Sequence, residues 1–175
     1  MKDLVDVLRS TIRDVPDFPK PGILFKDITP VLADAALLKA TVQYFADKFR
    51  GERIDAVVGM ESRGFIFGTP LAIELGAAFV PARKPGKLPY KCIGVEYALE
   101  YGTNRLEVHV DAIEAGQRVL VMDDLLATGG TARATCDLIQ QLGGEVVANC
   151  FVVELGFLNG REQLTGLPIE SLLVY

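Results

Sequence analysis

The chain has 175 residues, 50% of them hydrophobic, with 18 Lys and Arg against 23 Asp and Glu and a net charge of −5. That length and apolar content suit one domain with a sizeable core, and the acidic balance disfavours nonspecific attraction to nucleic acid or to an anionic membrane surface. Three cysteines without Cys-x-x-Cys spacing and a lone histidine, His109, support neither a disulfide framework nor a zinc site; the start Met1–Asp6 lacks the apolar block of a secretory signal, so a soluble cytoplasmic protein is expected.

Leu4, Val5, Leu8 and Ile12 recur at helical spacing and predict a first helix, which stops before Val15-Pro16-Asp17-Phe18-Pro19-Lys20-Pro21-Gly22. Residues 16–30 are expected to form an irregular arm. A second helix over about Asp34–Phe49 leads through Gly51 into a strand over 54–59. A helix over Phe65–Leu75 ends at Gly76, and the next strand covers Ala77–Ala82. Residues 83–93 hold Pro85, Gly86 and Pro89 and read as a mobile loop. Val95–Glu100 and Leu106–Val110 then alternate about Gly102-Thr103-Asn104, which predicts an antiparallel hairpin.

Val119–Met122 is an apolar run suited to a strand covered on both faces, and Ala132, Ala134, Leu138, Ile139 and Leu142 mark a helix that stops at Gly143-Gly144. Between them lies Asp123-Asp124-Leu125-Leu126-Ala127-Thr128-Gly129-Gly130-Thr131, read as a strand-to-helix turn. The first N–H groups of a helix have no internal partner, two glycines let the chain curl around an anion, and Thr128 and Thr131 add hydroxyl donors. A phosphate monoester fits that cradle. Carboxylates repel phosphate, so Asp123 and Asp124 should face neutral hydroxyls or a cation, and a ribose 5-phosphate meets both demands. Two other readings remain open at this point: an acidic pair capping an ordinary helix, and the acidic pocket of a receiver-type signalling domain. A strand over 146–153, a short helix near Arg161 and a final strand over 171–175 complete a strand–helix repeat around a parallel core.

In open parallel sheets ligands bind beyond the carboxyl ends of the strands. Gly59-Met60-Glu61-Ser62-Arg63-Gly64-Phe65 ends there, as does Arg83-Lys84-Pro85-Gly86-Lys87-Leu88-Pro89; the arm Phe18–Pro30 is a third candidate segment. Taken singly, each has a bland reading: a solvated arginine, a solvated basic turn, a proline-rich connector.

The Asp123–Thr131 run resembles the phosphoribosyl diphosphate (PRPP) signature of type I phosphoribosyltransferases, and Glu61-Ser62-Arg63-Gly64 is similar to that family's pyrophosphate loop. The arm, Arg83–Pro89, Leu99–Gly102 and Ser171-Leu172-Leu173 resemble its adenine branch, so the resemblance covers essentially the whole chain. It implies an α/β type I phosphoribosyltransferase fold over 1–175, a mainly parallel sheet flanked by helices, with an N-terminal helix and hood arm (1–33) and a flexible loop and hairpin (83–105).

The implied reaction is purine salvage, adenine and PRPP giving AMP and diphosphate, with Mg²⁺ carried by PRPP rather than bound directly by protein side chains. The resemblance places the ribose and 5-phosphate on Asp123, Asp124, Ala127, Thr128, Gly129, Gly130 and Thr131. It places the diphosphate on Glu61, Ser62, Arg63, Arg83, Lys84, Lys87 and Tyr101. Adenine falls to Leu24, Phe25 and Lys26, with Phe25 stacking and the main chain of its neighbours reading the Watson–Crick edge; Glu100 is the catalytic residue. Lys26 stands where many members carry Arg, a change of little consequence if backbone atoms read the base. The resemblance also implies a homodimer and a Glu61–Ser62 cis peptide, and it assigns no role to Tyr90–Tyr97. A phosphoribosyltransferase for another purine base and a noncatalytic PRPP-sensing regulator are the competing functions.

Overall fold

Runs of branched apolar residues, two of them followed directly by an α-helix, build the framework in the computed structural model, which describes residues 2–98 and 103–175. Chain contacts divide it into two compact units, Met1–Tyr44 and Phe45–Tyr175.

The first unit opens with α1 (Lys2–Thr11), where the predicted helix lies, with Leu8 fully buried. The arm departs from the irregular segment expected. β1 (Arg13–Pro16) and β2 (Leu24–Asp27) pair antiparallel, with Asp14 opposite Lys26 and Val15 opposite Phe25. Cross-strand charge explains what the prolines concealed: Lys26 Nζ lies 2.5 Å from Asp14, and Arg13 lies 3.5 Å from Asp27. The prolines sit at the strand end and in the connection, where no ladder N–H is lost. Asp17 Oδ1 accepts from the Gly22 N–H at 2.7 Å and closes that connection, in which the Phe18–Pro19 bond is cis. Asp27 then accepts from the Thr29 N–H and hydroxyl, starting a short helix, α2 (Thr29–Ala33), with Pro30 in its first turn. Asp34 caps α3 (Ala35–Phe49), accepting from the N–H groups of Ala36 and Leu37 at 2.9 and 3.0 Å, close to the predicted start.

In the second unit, β3 (Ala56–Met60) is buried throughout, α4 (Gly64–Leu75) follows, and Gly76 ends the helix in a left-handed conformation at φ +65°. β4 (Ala78–Ala82) comes next, then a separate antiparallel ribbon of β5 (Cys92–Ala98) and β6 (Thr103–His109). β7 (Arg118–Leu126), α5 (Gly130–Gln141), β8 (Glu145–Glu154), two short 3-10 turns (Gly156–Leu158 and Gly160–Leu164) and β9 (Ile169–Val174) finish the chain. The main sheet is parallel in the order β4-β3-β7-β8-β9. Its core joins Val58, Met60, Val119, Val121 and Phe151 to Ala132, Cys136, Leu138 and Ile139 of α5, as the two-sided burial of a parallel sheet requires. Among the described residues no helix is long and apolar enough to cross a membrane.

The expected loop at Asp123–Asp124 is strand instead. β7 continues past both acids because Leu125 and Leu126 still pair with Val153 and Glu154 of β8. The acids therefore project from the rigid carboxyl end of the central strand rather than from a turn.

Candidate active site

Three chain reversals meet at the carboxyl ends of β3, β4 and β7. Gly64 lets α4 start against β7: a methyl group there would lie 2.5 Å from the Met122 carbonyl oxygen and 3.1 Å from Asp123 Oδ1. That close approach brings the Glu61–Arg63 reversal to the acid pair, and Glu61, Ser62, Arg63, Asp123 and Asp124 line one polar pocket. The Glu61–Ser62 peptide is cis. Arg63 Nε donates to Asp124 Oδ2 at 2.5 Å, from a side chain 47% exposed to a carboxylate only 5% exposed.

Asp124 is buried and Asp123 half-buried. Burial first, and the adjoining Asp124 carboxylate second, push Asp123 well above the ordinary carboxylate value of 3.8. The Asp124 N–H donates to Asp123 Oδ1 at 2.9 Å, which offsets part of the cost. A raised folded-state value means that the folded chain holds more protons than the unfolded one as pH rises from 3.8 to that value, so stability falls across that window and the penalty persists above it. Asp123→Asn is therefore expected to raise the melting temperature of the ligand-free protein at pH 7, by about 2–4 °C per kcal/mol of relieved repulsion. The gain should vanish below the ordinary carboxylate range. A thermal-shift series over pH checks this; a melting temperature lowered at pH 7 would contradict it.

The second pocket adjoins the first. Met60, Asp123, Phe151 and the run Leu125–Ala132 line it. Gly129 takes φ +86° immediately before α5, and the first i to i−4 bond of that helix runs from the Arg133 N–H to the Gly129 carbonyl at 2.9 Å. The N–H groups of Gly130, Thr131 and Ala132 thus belong to the first turn, where no intrahelical acceptor exists and the helix dipole favours an anion. Thr131 Oγ1 donates to the Tyr97 hydroxyl at 3.3 Å, so the ribbon strand β5 touches the cradle. No role was assigned to Tyr97 from the sequence. Its one signal was alternation, since Ile93, Val95 and Tyr97 share a face and pack together on the core.

Arg83 belongs to a framework of its own. Its backbone exchanges two hydrogen bonds with Glu107 of β6, and its guanidinium donates to both Glu61 carboxylate oxygens at 3.2 and 3.3 Å and to the Lys87 carbonyl at 3.1 Å. Glu61 also accepts from the Lys84 N–H at 3.0 Å. The Arg83 hydrogen bonds outweigh burial and hold the Glu61 carboxyl below its usual range. The structure thus joins Glu61, Ser62, Arg63, Arg83, Asp123 and Asp124, while the Lys84 and Lys87 side chains remain on the exposed loop. Leu24, Phe25 and Lys26 lie on β2 of the first unit, where Phe18 meets Phe25 edge-on at 5.1 Å. Glu100 and Tyr101 lie outside the described residues. Among those described, no three His, Cys, Asp or Glu side chains are grouped to hold a metal ion.

An anion cradle, an acid pair with Asp124 buried and Asp123 half-buried, and an arginine-bearing reversal, all at the carboxyl edge of one parallel sheet, define a protein built for a phosphorylated polyol. Residues 31–163 match the family model described as phosphoribosyl transferase domain. An adenine phosphoribosyltransferase of Methylococcus capsulatus is 60% identical over 171 residues, covering 98% of this chain and all of its own. The crystal structure of adenine phosphoribosyltransferase from Thermoanaerobacter pseudethanolicus superposes with a TM-score of 0.95 at 50% identity, covering 98% of this chain and 99% of that one. The enzyme from Saccharomyces cerevisiae, complexed with D-2,5-dideoxy-2,5-imino-altritol 1,6-bisphosphate and adenine, gives 0.94 at 40% identity, covering 99% of this chain and 100% of that one. The chain belongs to the adenine phosphoribosyltransferase family.

Proposed function

We propose that the chain serves purine salvage by transferring the phosphoribosyl group of PRPP to adenine, releasing AMP and diphosphate, as one catalytic domain over 1–175. The observation that carries this reading is the order of chemistry along one sheet edge. A phosphate cradle at Ala127–Thr131 adjoins two carboxylates at Asp123 and Asp124, which adjoin an arginine at Arg63. PRPP has the same order: 5-phosphate, ribose hydroxyls, diphosphate.

Asp123 and Asp124 accept hydrogen bonds from the ribose hydroxyls, while Thr128, Thr131 and the first-turn N–H groups of α5 hold the 5-phosphate. Ser62, Arg63, Arg83, Lys84, Lys87 and Tyr101 meet the diphosphate, with Glu61 contributing its backbone there while its carboxylate orients Arg83. PRPP arrives as its Mg²⁺ complex, the metal riding on substrate oxygens. As diphosphate departs, the anomeric carbon gains oxocarbenium-like charge, so catalysis depends on stabilising charge at the leaving group rather than on an enzyme nucleophile. Closure of the 83–100 region, of which residues 99 and 100 lie outside the described residues, keeps water from that centre. Adenine is read by Leu24, Phe25 and Lys26. The protein works in the cytoplasm as a homodimer.

Asp124→Asn is expected to lower catalytic efficiency at least about tenfold, because an ionised acceptor becomes a neutral amide. Steady-state kinetics on the folded variant check it, and unchanged values would remove Asp124 from ribose binding. Glu100 holds or relays a proton at the adenine imidazole edge as the N9–ribose bond forms. General acid–base groups contribute about 10²–10⁴-fold, so Glu100→Ala should cut turnover at least about tenfold. Glu96 is the internal control: its side chain is 69% exposed and pairs with Arg105 only at 4.0 Å, so Glu96→Ala should change little. Equal behaviour of the two variants at saturating substrates would move the role elsewhere. The assignment as a whole is tested by AMP formation from labelled adenine with PRPP and Mg²⁺ omitted in turn. Product is expected only when both are present; product without PRPP, or none with both, would refute it.

A further inference from the structure

Glu154 closes β8 and is 4% exposed, yet it lines neither pocket. Its carboxylate accepts from Arg161 Nε at 2.6 Å, Arg161 Nη2 at 2.7 Å and the Ser171 hydroxyl at 2.5 Å. Burial raises its pKa, and the bonds from Arg161 and Ser171 more than reverse that, so the group is held ionised. A two-pronged ion pair from a half-exposed Arg161 to a buried carboxylate is weak evidence for stability and better evidence for fixing one element against another.

The element fixed is the turn Gly160–Leu164, whose Leu164 is buried. On its far side this turn meets the phosphate cradle backbone to backbone. A methyl group at Gly160 would lie 2.2 Å from the Ala127 carbonyl oxygen, and one at Gly129 would lie 2.3 Å from the Gly160 carbonyl oxygen and 3.0 Å from Gln163 Cβ. The nearest atoms across that contact are backbone carbonyl oxygens, so displacement of the turn is transmitted to Ala127–Gly129. On the other side, β9 supplies Ser171, and the Leu155 N–H donates to the Leu126 carbonyl at 2.9 Å, registering the end of β8 to the end of β7.

We propose that Glu154, Arg161 and Ser171 form a positioning clamp that seats the 160–164 turn behind the cradle and thereby sets the affinity for the 5-phosphate of PRPP and AMP without touching it. The proposal rests on the assignment of Ala127–Thr131 to that phosphate. The three residues come from separate stretches of chain; the turn meets the cradle at Ala127 and Gly129, and Glu154 itself pairs with Leu126 at the end of β7. A clamp of this kind acts on the phosphate end of the substrate and leaves the base end unaffected, whereas a general stabilising role would weaken both alike.

The test compares wild type with Arg161→Ala, Arg161→Lys and Ser171→Ala, each at a temperature where its circular dichroism matches wild type. Arg161→Ala is expected to raise the KM for PRPP and the Kd of ribose 5-phosphate at least about tenfold, while the KM for adenine stays within about twofold. Arg161→Lys keeps the charge but not the planar two-pronged geometry, and should recover only part of the loss. Ser171→Ala removes a single bond and should shift the same two constants in the same direction by a smaller factor; it carries the test if Arg161→Ala does not fold. Unchanged ribose 5-phosphate affinity in the folded variants, or equal losses for PRPP and adenine, would overturn the clamp. Wild-type protein that binds ribose 5-phosphate but forms no AMP would refute the proposed function instead, and the ribose 5-phosphate series would still decide the clamp.

Discussion

Gly129→Ala is expected to reduce kcat/KM for PRPP at least about a hundredfold. Gly129 holds φ +86°, and a left-handed backbone costs an L-residue about 1–2 kcal/mol. Sterics add to this, because the new methyl would sit 2.3 Å from the Gly160 carbonyl oxygen, a backbone atom that cannot rotate away. The loop relieves the clash by moving, and a displacement of about 1 Å in a positioning element can cost about 10²-fold in rate. Gly51→Ala is the matched control: no heavy atom lies within 4 Å of its added methyl and its φ is not positive, so kinetics should stay within about twofold of wild type. Steady-state kinetics with PRPP as the varied substrate separate the two. A Gly129→Ala enzyme with wild-type constants would show that the cradle does not hold the phosphate.

Local chemistry made much of this fold legible in the sequence. The Phe65–Leu75 helix was expected within one residue of α4, because its apolar run is long and Gly76 supplies the left-handed stop. Asp34 gave the start of α3 by the same local logic, a short carboxylate just ahead of a helical pattern. What escaped were pairings set across the chain. The arm looked irregular because proline density masks a strand signal, whereas the β1–β2 pairing follows from charges twelve residues apart, Asp14 and Lys26. Asp123 and Asp124 looked like loop residues because acids are poor strand formers; β8 opposite them decides otherwise.

The cradle itself was legible, since glycines and threonines at a strand-to-helix junction state their chemistry locally. Its supports were not. Arg63 meets Asp124 across 61 positions and Arg83 meets Glu61 across 22, and no periodicity announces either. Glu154 lies one residue past the strand expected over 146–153, and nothing local announces Arg161 and Ser171 beside it. Assignment of individual residues to adenine came from family resemblance, because a main-chain readout of the kind it implies would leave little side-chain signature to find.

That backbone readout makes base choice the sharpest consequence of the proposed function. The Lys26 ammonium lies 2.5 Å from Asp14, so it is directed to a neighbouring strand, and the proposed assignment gives the base edge to main-chain atoms of Leu24 and Lys26. On that assignment a carbonyl there would accept from the 6-amino group of adenine. Hypoxanthine and guanine present a 6-oxygen instead, which loses the hydrogen bond and sets two acceptors against each other. A lost bond and an unpaired buried acceptor together exceed about 2.7 kcal/mol, or about a hundredfold in catalytic efficiency. The decisive measurement is a single reaction containing equal concentrations of isotopically labelled adenine, hypoxanthine and guanine with limiting PRPP and Mg²⁺, its nucleotide products resolved by mass. AMP is expected to exceed IMP and GMP each by at least about a hundredfold; comparable yields of IMP or GMP, or no nucleotide at all, would contradict it.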